Sequence, residues 1–179
     1  MEGNGRLRLF VALPVPEPAR ADLVAWQTEL CAPGDVRLVP PANLHFTLAF
    51  LGSRPAADVE PIAQALRAAA ASAGRLVLEA RSYRETRSVG MVVFEDLDGR
   101  AGLLAEALAA RLQELGVYEP ERRPWLPHVT VARFRGPPGL RPEPPRLGEV
   151  SPSEVALYTS VLRRTGAQYE IRESVPLGG

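Results

Sequence analysis

Residues 43–52 read NLHFTLAFLG, and residues 125–133 read WLPHVTVAR. Each stretch contains His, an apolar residue, Thr and another apolar residue in that order, and the chain has only 2 histidines, one in each stretch. This alternation predicts a half-buried β-strand in both places. Because residues i and i+2 of a strand lie on one face, each strand should present its imidazole and its hydroxyl together.

The two polar pairs are His45 with Thr47 and His128 with Thr130. The histidines are 83 residues apart in the chain, so only the fold can bring them together, and we predict that it does. The apolar residues of both strands are expected to face the opposite way, under covering helices. These residues are Phe46, Leu48 and Phe50 on the first strand, and Val129 and Val131 on the second.

The rest of the chain predicts an α+β domain that spans residues 1–179. Strands are expected at 6–13, 36–39, 44–51, 75–80, 89–94, 128–134, 154–162 and 168–175, helices at 17–30, 55–73 and 100–115, and an irregular connection at 136–152. The second helix is expected to be capped near Ser53. Strand, helix, strand, helix recurs in each half of the sequence, which indicates two pseudo-duplicated lobes.

The composition excludes several classes of protein. All 21 basic residues are arginine, which rules out lysine-adenylate ligases, phosphate-binding loops with lysine, and Schiff-base enzymes. A net charge of zero argues against strong nonspecific binding to duplex nucleic acid. The single cysteine, Cys31, allows no internal disulfide and is expected at a helix end. No apolar run has the length of a membrane span or a signal-peptide core, so we expect a cytoplasmic protein without a membrane partner.

The paired histidines point to phosphoryl transfer without a metal. One neutral imidazole can take a proton from the attacking oxygen while a protonated imidazole gives one to the leaving oxygen. The two threonine hydroxyls can donate to non-bridging phosphate oxygens. Zinc normally needs three protein ligands, and the motif strands carry no carboxylates near the histidines, so no metal site is expected. The near-symmetry of the motifs leaves open which histidine is the acid.

On these residues the chain resembles the 2H phosphoesterase superfamily, and within it the RNA 2′,3′-cyclic phosphodiesterase family, also called 2′-5′ RNA ligase. The resemblance includes the opening RLFVALPVP, both His-x-Thr stretches and the late strand VALYTSVL at 155–162. It implies two α+β lobes related by a pseudo-twofold axis, each an antiparallel sheet with outer helices. The two motif strands would line a central cleft between the lobes.

The same resemblance implies hydrolysis of RNA 2′,3′-cyclic phosphate ends, tRNA fragments among them, to 2′-phosphomonoesters. His45 would be the proton donor and His128 the proton acceptor, with Thr47, Thr130 and Arg133 binding phosphate. The reverse reaction would join a cyclic phosphate to a 5′-hydroxyl in a 2′-5′ linkage, and neither direction needs a cofactor. A monomer is expected. Arg133 has the wrong parity for the His128 face, so reaching the cleft would require a strand end or a β-bulge; a solvated arginine is the alternative.

Two other functions stay open at this point. The chain could be a phosphoesterase for small cyclic or 2′-5′-linked nucleotides, or a non-catalytic module that binds RNA ends. Several further residues are weaker candidates for RNA contacts, with surface solvation or core packing as the expected role. They are Arg122, Arg123, Phe10, Trp125 and Phe134. The acidic stretch at 96–99 lacks the downstream glutamate of a calcium loop and is expected to be a turn.

Overall fold

The computed structural model describes residues 5–30 and 34–178, so Cys31 lies outside the described residues. Within them the chain forms nine strands and three α-helices. The strands are β1 (Arg6–Pro14), β2 (Arg37–Leu38), β3 (His45–Pro55), β4 (Leu78–Glu85), β5 (Val89–Asp96), β6 (His128–Arg133), β7 (Glu149–Val150), β8 (Glu154–Arg163) and β9 (Gly166–Pro176). The helices are α1 (Ala19–Thr28), α2 (Val59–Ala70) and α3 (Arg100–Glu114).

All described strand pairs are antiparallel, in the order β7-β4-β5-β6-β3-β1-β8-β9, with β2 beside β6. The sheet has two halves, which we call the β1 lobe (β3, β1, β8, β9) and the β5 lobe (β6, β5, β4, β7, with β2). Among the described residues, the strands of the two lobes pair with each other only at Phe46–Val129. Each lobe therefore carries one His-x-Thr strand at its inner edge, and the expectation of a two-lobed α+β fold is confirmed.

Helices α2 and α3 pack against each other on one side of the sheet. Their apolar stripes join the strand residues that face them in one core cluster, in which Ile62, Leu66, Leu104, Leu108 and Leu112 are 0–2% exposed. Burial of this many large aliphatic side chains is the main source of stability. The opposite side of the sheet carries the polar residues of the two His-x-Thr strands.

Several predicted boundaries are wrong. The strand of residues 44–51 does not stop at Gly52, which adopts φ 69°, but continues to Pro55. Ser53 is therefore a strand residue, and α2 begins at Val59 after a 3-10 turn at Ala56–Asp58. The strand predicted at 75–80 runs instead over Leu78–Glu85. The predicted irregular connection contains the short strand β7, which pairs with β4.

No helix in the described part of the chain has both the length and the apolar character that crossing a membrane requires.

Candidate active site

The junction of the two lobes brings the motif strands together. Phe46 and Val129 are fully buried and form the register pair, so their side chains point into the core. The residues on either side of each point to the other face of the sheet. In an antiparallel pair the flanking residues face each other in reversed order, which puts His45 on the side of Thr130 and Thr47 on the side of His128. Both motif pairs therefore lie together on one face of the sheet at the junction of the lobes, and we call the space above this face the cleft.

His45 is held by two hydrogen bonds. Its Nδ1 lies 2.7 Å from the carbonyl oxygen of Asn43, and its Nε2 lies 2.9 Å from Thr47 Oγ1. A carbonyl can only accept, so Nδ1 carries the proton in the neutral ring. Nε2 then accepts from the Thr47 hydroxyl. When Nε2 is protonated it becomes a donor, and the hydroxyl is released to donate elsewhere.

His128 has a matching anchor. Its Nδ1 lies 2.8 Å from the carbonyl oxygen of Leu126, so this nitrogen is also the donor in the neutral ring. In both histidines the backbone carbonyl two residues upstream fixes the tautomer and leaves Nε2 as the reactive nitrogen. Among the described residues the Thr130 hydroxyl makes no hydrogen bond, unlike that of Thr47.

Burial lowers the pKa of His45 below its ordinary value of 6.5. The hydrogen bond to Asn43 opposes this shift, while the charges of Arg133 and His128 add to it. These charges act on His45 because the fold brings all three residues into one region. The His45 imidazole is therefore mostly neutral in the free protein near pH 7.

A β-bulge brings Arg133 to the cleft face. In the pairing of β5 with β6, Met91 pairs with Thr130 and Gly90 with Ala132, so Val131 is an extra residue. Val131 and Ala132 are both buried, and the alternation resumes with Arg133 exposed on the side of His128. Without this extra residue, the strand alternation would put Arg133 on the core face; with it, Arg133 lies on the same face as His128.

Gln27 of α1 secures this bulge. Its side chain is 2% exposed, and its Nε2 donates to the carbonyls of Val39 at 3.0 Å and Val131 at 2.5 Å. The Val131 carbonyl also accepts from the backbone N–H of Val39 at 3.0 Å. Gln27 thus ties α1, the segment after β2 and the extra residue of β6 together.

The same bulge occurs in β3, which makes the prediction for Phe50 wrong. Ala12 pairs with Thr47 and Val11 with Ala49, so Leu48 is the extra residue. Phe50 consequently turns to the face of His45 and is 54% exposed, with the Arg8 guanidinium carbon 5.6 Å from its ring centre. Phe50 in β3 occupies the place that Arg133 has in β6, so the two lobes differ in charge at equivalent positions.

An aromatic cluster supports His45 from the β1 lobe. The ring centre of Phe10 lies 5.2 Å from that of His45, and the ring of Tyr169 lies 5.5 Å from it, edge-on. Tyr158 stacks on Phe10 at 5.1 Å. Asn43 connects the same region to the β8–β9 hairpin, because its Nδ2 donates to the Ala167 carbonyl at 3.0 Å. These contacts supply the burial that lowers the pKa of His45.

The remaining sequence candidates have mixed positions. Phe134 is 7% exposed, and Phe10 is 4% exposed, so core packing is confirmed for both. Trp125 packs partly against the core and donates from Nε1 to the Thr47 carbonyl at 2.9 Å, which links the segment before β6 to β3. Arg122 and Arg123 are exposed in the loop before that segment.

Sequence reasoning missed Gln27, Asn43 and Tyr169 at this site. The side chains of Gln27 and Asn43 donate to backbone carbonyls that lie 12 to 124 residues away in sequence, for which no local pattern exists. Tyr169 lies on a strand whose polar alternation resembles that of any exposed edge. Among the described residues no group of three or more His, Cys, Asp or Glu side chains is arranged to hold a metal ion.

Comparison with known proteins is consistent with this geometry. Residues 13–88 match the family model described as LigT like Phosphoesterase. The RNA 2′,3′-cyclic phosphodiesterase of Thermus thermophilus is 36% identical over 97% of this chain and 91% of its own length. The protein of that name from Escherichia coli is 28% identical over 90% of this chain and 92% of its own length.

Solved structures agree with these matches. The crystal structure of TT0787 from Thermus thermophilus has a TM-score of 0.83 at 31% identity, covering 97% of this chain and 99% of that one. The crystal structure of apo Escherichia coli LigT has a TM-score of 0.78, and at 24% identity it supports the fold alone; it covers 97% of this chain and 99% of that one. One relative is more than 30% identical along almost its whole length, and both His-x-Thr strands lie at one cleft here. This chain therefore belongs to the LigT-like, or 2H, phosphoesterase family.

Proposed function

We propose that this protein hydrolyses the 2′,3′-cyclic phosphate at RNA ends to a 2′-phosphomonoester, with His45 and His128 as acid and base. The observation that carries the proposal is the convergence of two imidazoles on one cleft, each anchored through Nδ1 to a backbone carbonyl so that Nε2 is the nitrogen that can exchange a proton. We take the RNA cyclic phosphate as the substrate because the relatives from Thermus thermophilus and Escherichia coli are named RNA 2′,3′-cyclic phosphodiesterases.

In the proposed reaction, His128 Nε2 takes a proton from water as the water oxygen attacks phosphorus. The bond from phosphorus to the 3′ oxygen breaks, and His45 gives its Nε2 proton to that oxygen. Phosphorus stays on the 2′ oxygen. Exchange with solvent then returns His128 to its neutral form and His45 to its protonated form.

Because the pKa of His45 is low in the free protein, bound substrate must raise this pKa before His45 can act as an acid. A phosphate anion bound beside the imidazole favours its charged form and raises its pKa. Protonation of Nε2 also releases the Thr47 hydroxyl, which can then donate to a non-bridging oxygen together with Thr130. Arg133 would neutralise the remaining charge on the phosphate. In the reverse direction a 5′-hydroxyl replaces water, which gives the proposed 2′-5′ ligation without a cofactor.

The test is incubation of the protein with RNA that ends in a 2′,3′-cyclic phosphate, in EDTA, with separation of 2′- and 3′-phosphate products. The proposal expects a 2′-phosphate product that disappears in His45→Ala and His128→Ala, while both variants keep their melting temperatures. A 3′-phosphate product would contradict the proposed bond cleavage. Turnover of small cyclic or 2′-5′-linked nucleotides but not of RNA ends would mean that these nucleotides are the substrate. Tight binding of the RNA end without turnover would favour a non-catalytic binding module.

A further inference from the structure

Two arginines face each other across β2 and β6. Arg37 and Arg133 are register partners in this antiparallel pair, and both are exposed. Directly opposed residues of an antiparallel pair lie on the same face of the sheet, with Cα atoms about 4.5–5.5 Å apart. Because the Val131 bulge turns Arg133 to the cleft, Arg37 lies on the cleft face as well.

Neither guanidinium has a carboxylate partner among the described residues. In residues 5–30 and 34–178, five other arginines form ion pairs with carboxylates, while Arg37 and Arg133 form none. Like charges that are directly opposed in a sheet destabilise it. An anion between the two guanidinium groups would remove this repulsion and gain charge-assisted hydrogen bonds from both.

The position of Arg37 separates it from the reactive phosphate. Arg133 contributes to the low pKa of His45 and therefore acts on the reactive centre. Along β6, Arg133 is five residues beyond His128, which is roughly 16 Å at the strand rise. Arg37 pairs with Arg133 and therefore lies at the same level along β6, at the end of the motif face away from His128, where it can reach a group farther along the substrate.

We propose that Arg37, beside Arg133, binds a second substrate phosphate one linkage away from the cyclic phosphate, so that the Arg133 guanidinium lies between the two phosphates and contacts both. This inference rests on the proposed function, because it takes the histidines as the position of the reactive phosphate. The second phosphate belongs either to the RNA backbone or to a small nucleotide with an additional phosphate. In both cases the site selects substrates with two phosphates over a simple cyclic mononucleotide.

The experiment compares three substrates. They are a 2′,3′-cyclic mononucleotide, the same nucleotide with a 5′-phosphate, and an RNA dinucleotide with a cyclic end. Arg37→Gln should raise KM about tenfold for the two substrates with a second phosphate and change kcat/KM for the simple mononucleotide by less than about twofold. Arg135→Gln, which removes a neighbouring exposed arginine outside β6, is the matched control and should affect none of them.

The pattern of losses identifies the phosphate. A loss for the dinucleotide alone would assign the site to the RNA backbone, and an equal loss for both two-phosphate substrates would assign it to the phosphate itself. Equal KM values in Arg37→Gln and wild type for all three substrates would overturn the inference, as would an equal loss for the simple mononucleotide. The melting temperature should stay the same or rise, because the substitution relieves repulsion.

Binding separates this inference from the proposed function. The dissociation constant of an RNA dinucleotide that ends in a 2′-phosphate can be measured whether or not the protein turns over cyclic ends. If the wild type shows no turnover but Arg37→Gln weakens this binding about tenfold, the phosphate site stands and the proposed reaction fails. If turnover is normal and the binding is unchanged, the proposed reaction stands and the phosphate site fails.

Discussion

In the part of the chain that the structure describes, Phe46 and Val129 form the one register pair between the two lobes, and each directly follows a motif histidine. Both side chains are fully buried, so this pair fixes the histidines on the opposite face and sets their separation across the cleft. The bulges at Leu48 and Val131 follow at equivalent distances in β3 and β6. This equivalence places the pseudo-twofold axis of the cleft at the Phe46–Val129 pair.

A substitution at this pair should lower the activity by more than the accompanying loss of stability would cause. Phe46→Leu removes buried aromatic volume and should cost about 1–2 kcal/mol of unfolding free energy. Phe94→Leu is the matched control, because Phe94 is 3% exposed and its ring packs edge-on against Phe46 at 4.8 Å. With both variants fully folded, kcat on a cyclic-phosphate substrate should fall severalfold more in Phe46→Leu. Equal losses would mean that the pair does not set the site geometry.

The pKa of His45 predicts the pH dependence of the reaction. As the proposed acid, His45 must be protonated, and the protonated fraction falls as pH rises through its pKa. Because burial lowers that pKa, the declining limb of kcat/KM in the free enzyme should lie below pH 6.5. Arg133→Gln removes a charge that lowers the pKa, so the His45 pKa should rise and the limb should move to higher pH, although the maximum rate falls.

The measurement is an NMR titration of the His45 ring in wild type and Arg133→Gln, together with the kcat/KM profile. Arg135→Gln removes an equal charge from an exposed neighbour beyond the end of β6, and it should leave the titration unchanged. A His45 pKa that stays constant or falls in Arg133→Gln would contradict the electrostatic coupling.

The sequence predicts this site well up to the bulges and poorly beyond them. The alternation over residues 45–48 is sufficient to put His45 and Thr47 on one face, because this segment follows the regular two-residue period of a β-strand. Phe50 is assigned to the wrong face because the extra residue is a leucine, and nothing local distinguishes it from a regular strand leucine. The strand β4 is misplaced because its polar sequence RSYRE gains order from pairing with β5, a distant contact.

Glu85 should hold the connection between β6 and β7 without contributing to catalysis. Its carboxylate accepts from the backbone N–H groups of Gly139 at 2.8 Å and Leu140 at 3.2 Å, and from the Tyr83 hydroxyl at 2.8 Å. Glu85→Ala leaves these donors unpaired, so limited trypsin digestion should cut faster after Arg146, an exposed residue of this connection. The pKa of Tyr83, which burial and the Glu85 charge raise, should fall.

Activity on a cyclic mononucleotide should be unchanged in Glu85→Ala, because β4 lies two strands away from β6. Glu106→Ala, an exposed carboxylate on α3, is the control for digestion and should not accelerate it. A severalfold loss of kcat/KM in Glu85→Ala would show that this connection reaches the cleft.

Gln27 should position Arg133 through the Val131 bulge. Gln27→Leu keeps a side chain of similar volume but removes the donor to two buried carbonyls. This loss should cost about 1–3 kcal/mol of unfolding free energy. A shift in the bulge changes the direction of Arg133, so KM for the cyclic phosphate should rise. Leu23→Ala is the matched control: Leu23 is fully buried on the same helix, and its loss should cost about 2–5 kcal/mol.

A double-mutant cycle separates positioning from stability. If Gln27 acts through Arg133, then Gln27→Leu should raise KM severalfold in the wild-type background and hardly at all in Arg133→Gln. Leu23→Ala should have the same small effect on KM in both backgrounds, since it affects the amount of folded protein and not the bulge. Additive effects of the Gln27 and Arg133 substitutions on KM would mean that the glutamine only stabilises α1. The cycle therefore tests whether one buried amide 104 residues from the bulge in sequence determines where the cleft carries its charge.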